Sequence, residues 1–570
     1  MNDIQPLIDK ILRKTQDPAF GDYLRDLLVE ICKIDTSPFA DVSIMRDAEA
    51  AVFDILEREL APLPFLGARR ERHPVNPAIA EHRFFSKLHF TKTEDRPEGL
   101  SPEDAYDGRT NLLYIVPGAA GEDCGEGVAV NAHIDVVKPY FPPTVTDDVV
   151  YGRGAADDKG SIVGMIGAFK ILSEILADEG LKLKKNLVGM MVVEEETGGN
   201  GSLSLAIDED LKKLYDTIMV MEITDNLVHP ANRGAVWYRA DLRVPGVNLF
   251  ELFAFVNEEF EKEGRAIRAE SRHQLFPQRP VQTCHGIIGS YGEHPSRICG
   301  EVSFNIDLET APEGAARTTI EDAIQWGLDE YVAAYGDKTK AIDPDTNQPK
   351  VDHHLDIVPT DTGFRVDVHG STGHMGAILE NDGAITKMAT IVRSLVRSKA
   401  KTEKLAGSKM VLSLTGNEGV ELLTLEGGQG FVPTHDITEV MDRVARAGER
   451  GAENYLRSIG RTEKGAEAVE VTYDKLHNAA FDGDPDSVPM QNAIAAAKAA
   501  GTWRDEPIIG WTVSCDARLF ATQYPGLPVL TCGAGLLTRA HSDEEQLTIS
   551  ELRETIAFLA IYLLRQAEIA

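Results

Sequence analysis

Nowhere in its 570 residues does this chain carry a run approaching the ~20 apolar residues a helix needs to cross a bilayer, so no membrane span is expected. Cysteine is scarce. Cys32, Cys124, Cys284, Cys299, Cys515 and Cys532 are scattered and form no CxxC pair, which argues against a zinc ribbon or a disulfide framework and fits a reducing cytoplasm. Positive charge is outweighed, 58 Lys and Arg against 91 Asp and Glu, for a formal charge of −33. So acidic a surface repels phosphate backbones and anionic lipid, so neither nucleic acid nor membrane is expected as a partner. It does not point to a basic substrate, because net charge averages over a surface while a site is local. The first residues, MNDIQPLIDKILRK, spread their charge and hold no apolar core, so no secretory signal is expected there and a cytoplasmic location is. Nucleotide fingerprints are missing too: Gly533-Ala534-Gly535 lacks a strand–helix setting, and GAADDKGS has no Gly before its Lys. No low-complexity segment or short solenoid repeat occurs.

What is present is a globular composition, 43% hydrophobic and 26% charged, in a chain too long for one core. Two amphipathic helices are predicted over 20–60, broken at the loop beginning with Asp35, while 66–108 reads as loop with at most a short hairpin. From Asn111 the texture becomes strands, LLYIV (112–116), VAVNAHIDVV (128–137), LVGMMVV (187–193) and TIMVME (217–222), with a helix over 160–180. Apolar strands separated by helices predict an α/β layered domain with a mostly parallel sheet. From about 236, Val236–Arg243, Val302–Leu308 and Phe364–Val368 alternate like half-buried strands between helical runs at 249–262, 318–335 and 384–397, which is α+β texture. A helix near 489, a strand at 528–532 and a terminal amphipathic helix return to the first pattern. The expected domains are therefore 1–238 with 481–570, and an α+β domain, 239–480, inserted between them.

The chemistry is carried by His and carboxylate residues at strand ends. His133 and Asp135 end one strand, Asp157 lies in the turn before the long helix, and Glu194, Glu195 and Glu196 follow LVGMMVV. Glu222 ends TIMVME, and His541 follows PVLTC. Five segments thus bring acids or imidazoles to the carboxyl ends of strands, where open α/β sheets build their sites. Any one of them alone reads equally well as surface charge. Burying them together without cations is prohibitively costly, so the set implies metal. Mixed imidazole and carboxylate ligands suit zinc, with manganese or cobalt as alternatives. Two His and three carboxylates exceed one open tetrahedral site and suit two ions ~3.5–4 Å apart sharing a carboxylate and a water.

In order and spacing, NAHIDVV, YGRGAADDKG, VVEEETGG, MEITD…NRGA and RAHSDEE resemble the motifs of the co-catalytic di-zinc peptidases, the family of glutamate carboxypeptidase, succinyl-diaminopimelate desuccinylase, aminoacylase and the bacterial Xaa-His dipeptidases. The resemblance covers residues 22–238 and 487–570, including DGRTNLLYIVPG. It implies a layered catalytic domain with an inserted, ferredoxin-like lid, and two Zn2+ (or Mn2+ or Co2+). His133 and Glu222 would hold one ion, Glu196 and His541 the other, and Asp157 would bridge them. Asp135 would fix the tautomer of His133, Glu195 would be the general base acting on a bridging hydroxide, and the Asp157–Asp158 peptide would be cis. Glu194 stands where the family has Asp. The implied reaction is hydrolysis of an amide bond in a dipeptide or N-acyl amino acid. The alternative is a catalytically silent metal-binding scaffold, which has no reason to keep an acid at 195.

Within the insertion, VDVHGSTGHMGAILENDGAI resembles the lid motif whose second His, here His374, stabilises the oxyanion, although about 140 residues separate it from Arg233-Gly234, where the family has a few dozen. LEGGQGFVPTHDI resembles the substrate-facing lid strand, with Val432 in place of the family's Asn. The insertion is about twice the length one lid needs, and VWYRADLRVPG and GFRVDVHGSTGH share a texture. A doubled lid is expected, and with it a monomer competent alone; a single lid would imply a homodimer. His353-His354 and His285…His294 could suggest a third metal, but exposed loop histidines are the better reading, and Cys515 in SCDARLF reads as core.

Overall fold

The computed structural model describes residues 4–295, 297–342, 347–373, 375, 382–473 and 477–570. Internal packing divides the chain into one unit of Met1–Gly234, Arg272–Gln278 and Lys475–Ala570, and a second of Ala235–Ser271 and Arg279–Asp474. The short excursion Arg272–Gln278 belongs to the first unit because Leu275 and Phe276 are buried there, with the Leu275 carbonyl accepting from the Gly510 amide at 2.6 Å.

The first unit is built on a six-stranded sheet in the order Arg69–Pro74, Thr110–Val116, Asn186–Val192, Gly127–His133, Thr217–Met221, Val529–Cys532. Only Thr110–Val116 runs against the others; the last four strands pair in parallel. Gly127–His133, Asn186–Val192 and Thr217–Met221 are buried throughout, as unbroken apolar runs covered on both faces must be. The register sets out the site. His133 lies opposite Val192, two residues before the triple Glu, and Met221, just before Glu222, lies opposite Cys532.

The helix Lys159–Glu179 crosses this sheet, and at Gly189 a Cβ would stand 2.7 Å from the Phe169 ring, so glycine permits the close approach. By length and composition this helix would pass for a membrane span, with a mean hydropathy of 1.5, against the expectation that no run comes near one. Its apolar window is 83% buried inside the protein, because the sheet lies on one side and the terminal helix Ile549–Ala567 meets it at Gly164 and Gly167 on another. The terminal helix opens on a capping box between Thr548 and Glu551. The expected helices over 20–60 are Pro18–Cys32 and Val42–Leu60, and the loop region contributes the edge strand Arg69–Pro74.

The second unit holds two antiparallel sheets of one topology. In chain order, Gly234–Leu242, helix Leu249–Glu270, Thr283–Ile288, Leu423–Phe431, helix Ile437–Ser458 and Val469–Thr472 form β-α-β-β-α-β, with the first and third strands central. Glu301–Asp307, helix Gly314–Tyr335, Leu355–Pro359, Gly363–His369, helix Ala384–Ala406 and Val411–Leu414 repeat it. Both are ferredoxin-like. The doubling is nested: the second motif is inserted into the hairpin of the first, between Ile288 and Leu423.

Candidate metal centre

Three parallel strands and two loops deliver the first unit's acids and imidazoles to one place. His133 Nε2 lies 3.3 Å from Asp157 Oδ1 and 3.9 Å from Glu222 Oε1. His541 Nε2 lies 3.1 Å from Asp157 Oδ2 and 3.0 Å from Glu196 Oε1. The ligand atoms of His133, Asp157 and Glu222 all fall within 4.8 Å of one another, as do those of Asp157, Glu196 and His541. Asp157 serves both triads, one carboxylate oxygen facing each imidazole. All five residues are buried.

These spacings fit metal ions. Ligands ~2.0–2.1 Å from a tetrahedral centre lie roughly 3.3 Å apart, and the four distances above bracket that value. His133 Nδ1 sits 3.0 Å from the Asp135 main-chain carbonyl, which can only accept, so Nδ1 carries the hydrogen and Nε2 offers its lone pair to the acids. Among the described residues that buried Nε2 has no hydrogen-bond partner, and a proton or a metal ion between it and the carboxylates would satisfy it. The three carboxylates with Glu195 carry four negative charges, which two divalent ions would balance.

The pKa shifts express the same demand for cations. Burial pushes Glu222 well above the usual carboxylate range, helped by Asp157 and Asp158. Glu196 is raised by burial, with His541 opposing. Burial acts to lower both imidazoles, yet both are raised: His133 through Asp135 and Asp157, and His541, to about 10, through Glu196 and Asp157. Asp157 falls below its ordinary range because the two imidazoles outweigh its burial. Glu195 is raised by burial first and then by the charge of Asp516.

Asp135 stands against the His133 imidazole, with its main-chain carbonyl 3.0 Å and its carboxylate 3.4 Å from Nδ1, and the same carboxylate accepts the amides of Glu195 and Glu196 at 3.0 Å each, which fixes the acidic turn. Glu194 anchors the same turn from behind. It is ion-paired with Arg109, accepts from the Tyr106 hydroxyl at 2.8 Å, and Arg109 also pairs with Glu49. The expected cis bond at Asp157–Asp158 is present. Glu194 and His541 hold φ of +65° and +57°, strained values for residues with a Cβ.

Several participants escaped sequence reasoning. Glu545, fully buried, accepts from Arg153 at 2.6 Å and from the amides of Gly154, Ala156 and Asp157 at 2.9, 3.2 and 3.1 Å, holding the loop that presents Asp157. It is the last residue of RAHSDEE, so the signal was in view. Asp158 accepts the His133 amide at 3.2 Å. Arg518 donates to the Gly198 carbonyl at 3.0 Å beside Asp516, in the stretch considered only for Cys515. Cys515 itself is buried, raised by that burial, and accepts from Asn232. His374 lies outside the described residues. His285 is an interior imidazole bonded to Tyr238 at 2.8 Å.

The fold is that of known dipeptidases. Human carnosine dipeptidase 1 and the dipeptidase Dug1p of Saccharomyces cerevisiae each superpose with a TM-score of 0.53 at 14% identity, covering 98% of this chain and 99% and 98% of theirs. A probable carboxypeptidase of Arthroderma gypseum is 28% identical over 150 residues, 24% of this chain and 30% of the relative, so the chain spans less than a third of the length of the curated relatives it matches. Residues 129–565 match the family described as Peptidase family M20/M25/M40, a span that holds every residue of both metal triads. The chain is a member of peptidase family M20/M25/M40.

Proposed function

We propose that this protein is a two-metal hydrolase of an amide bond in a dipeptide or N-acyl amino acid. The observation that carries the proposal is the pair of buried His/carboxylate triads sharing Asp157. His133, Asp157 and Glu222 would hold one ion, and Asp157, Glu196 and His541 the other; zinc suits the donor set, with manganese or cobalt as alternatives. Two such ions would polarise the scissile carbonyl and acidify a water between them. Glu195, an acid beside the triads that belongs to neither, would take the proton from the attacking water and deliver it to the leaving amine. Its raised pKa, from burial and the charge of Asp516, favours that shuttle. His374 is assigned to the oxyanion on the resemblance of its motif.

Because region 235–474 contains two ferredoxin-like motifs, we assign the inserted motif the place a partner's lid takes in dimers, and one chain is then complete in itself. The test is a hydrolysis screen of protein loaded with zinc, and separately with manganese, against dipeptides and N-acyl amino acids. Turnover of one of these classes supports the proposal; inertness of the fully loaded protein toward both refutes the substrate assignment.

A further inference from the structure

The inserted ferredoxin-like motif carries a second cluster of metal-type donors, far in sequence from those of the first unit. Its hairpin joins Leu355–Pro359 to Gly363–His369, with Asp356 opposite Asp367 and His369 opposite Glu301 on the neighbouring strand. His353 Nε2 and His369 Nε2 both lie 2.9 Å from the same oxygen, Oδ2 of Asp356. The two rings meet edge-on with centroids 4.7 Å apart, and one donor atom from each of the three residues falls within 4.8 Å of the others. The nearby Arg365 is bonded to Asp367 at 2.9 Å.

The cluster is held from below by an independent buried network. Lys387, fully buried, is ion-paired with Asp382 and donates to the His369 carbonyl at 2.5 Å and to His354 Nδ1 at 3.1 Å. His354 Nε2 in turn donates to Asp337 at 3.0 Å, and the His369 amide donates to the His354 carbonyl at 2.9 Å. The ring of His354 is thus turned inward and its neighbour His353 outward. The main chain on both sides of the cluster is fixed before any ligand arrives, which is what a metal site on a rigid scaffold requires.

We propose that His353, Asp356 and His369 form a third metal site, for a divalent transition ion of the zinc, nickel or copper(II) class. Two imidazoles and one carboxylate leave a position for water, the pattern of an open site. A tetrahedral ion needs its ligands roughly 3.3 Å apart, so each 2.9 Å contact opens by only ~0.4 Å, within reach of the exposed His353 and Asp356 and the half-buried His369. On binding, each imidazole turns its Nε2 lone pair to the ion and carries its hydrogen on Nδ1. For His369 that hydrogen faces Glu301 Oε1, now 3.9 Å away, an outer carboxylate of the kind that fixes a ligating imidazole. The imidazoles of His353 and His369 already hold the Asp356 carboxyl below its usual range.

The test counts metal on the full chain. Protein stripped of metal and dialysed against free Zn2+ is analysed as wild type, as His353→Asn, as His369→Asn, and as the double variant Glu196→Gln/Glu222→Gln. The proposal expects each His variant to carry one Zn2+ fewer than wild type, while the double variant keeps an ion that is lost when His353→Asn is added. Cu2+ bound to that double variant should show coupling to two imidazole nitrogens by electron paramagnetic resonance. His353 is an exposed loop residue, so unchanged circular dichroism of His353→Asn separates loss of the ion from loss of fold. Equal metal counts in wild type and both His variants overturn the proposal. Because the count needs no turnover, failure of the catalytic proposal leaves this result readable.

Discussion

Replacing Glu545 with Gln should cripple the centre without touching a metal ligand. The carboxylate is fully buried and makes four contacts: Oε2 with Arg153, and Oε1 with the amides of Gly154, Ala156 and Asp157. In Glu545→Gln the amide oxygen can still accept from the three main-chain donors, but the NH₂ group then faces the Arg153 guanidinium, donor against donor. Breaking one side of a buried ion pair costs ~3–5 kcal/mol, and Arg153 is itself fully buried. The loop would relax to let Arg153 find another acceptor, and Asp157 rides on that loop. Loss of an outer partner of this kind weakens metal binding ~10–100-fold. Competition with a chromophoric chelator reads the affinity, and urea unfolding reads the stability. Adding Arg153→Met removes the orphaned charge and should recover ~0.5–3 kcal/mol through the coupling of the two sites. Wild-type zinc affinity and stability in Glu545→Gln would refute the role given to this residue.

Three further outcomes are expected. Glu195→Gln should retain both metals yet lose ~10²–10⁴-fold in rate, whereas Glu196→Gln should lose metal; metal analysis beside turnover decides, and swapped phenotypes would shift the assignment by one residue. Mixing inactive His374→Ala chains with inactive Glu195→Gln chains should restore no activity if each chain is complete, while recovered turnover would mean a lid shared between chains. Burial drives His285 down to about 3 and His229 to about 4, so the folded protein keeps both neutral while the unfolded chain protonates near 6.5. Their contribution is therefore full above pH ~6.5 and declines as pH falls toward those values, at up to ~1.4 kcal/mol per pH unit for each. His285→Gln should flatten the acid side of a urea-midpoint profile, and an unchanged slope would contradict this.

The catalytic sheet was legible because its strands are apolar runs, and each ends at or just before the residues assigned to the site: His133, the pair Glu195 and Glu196, or Glu222. The register that sets these ends side by side follows from parallel pairing, so linear motifs translate directly into a cluster. The outer partners did not stand out. Glu49 reads as one more charge on the helix Val42–Leu60, and only the fold shows it buried against Arg109. The further hold of the Asp135 carboxylate on the Glu195 and Glu196 amides is set by main-chain geometry, which a linear motif does not record. The doubling of the insertion was visible in its length, but its nesting was not, since strand texture carries no record of which strands pair. The pairing of His353 with His369 across a hairpin, with His354 turned inward, was hidden for the same reason.

The central claim is that turnover depends on metal held by the two triads that share Asp157. The most direct measurement follows hydrolysis of the dipeptide or N-acyl amino acid found in the screen while metal is removed by chelation and returned in known equivalents. The account predicts that activity disappears with the ions and returns as added zinc, cobalt or manganese refills the two catalytic positions, and that Asp157→Asn shows no such recovery. Full activity in protein verified to be free of metal would contradict it.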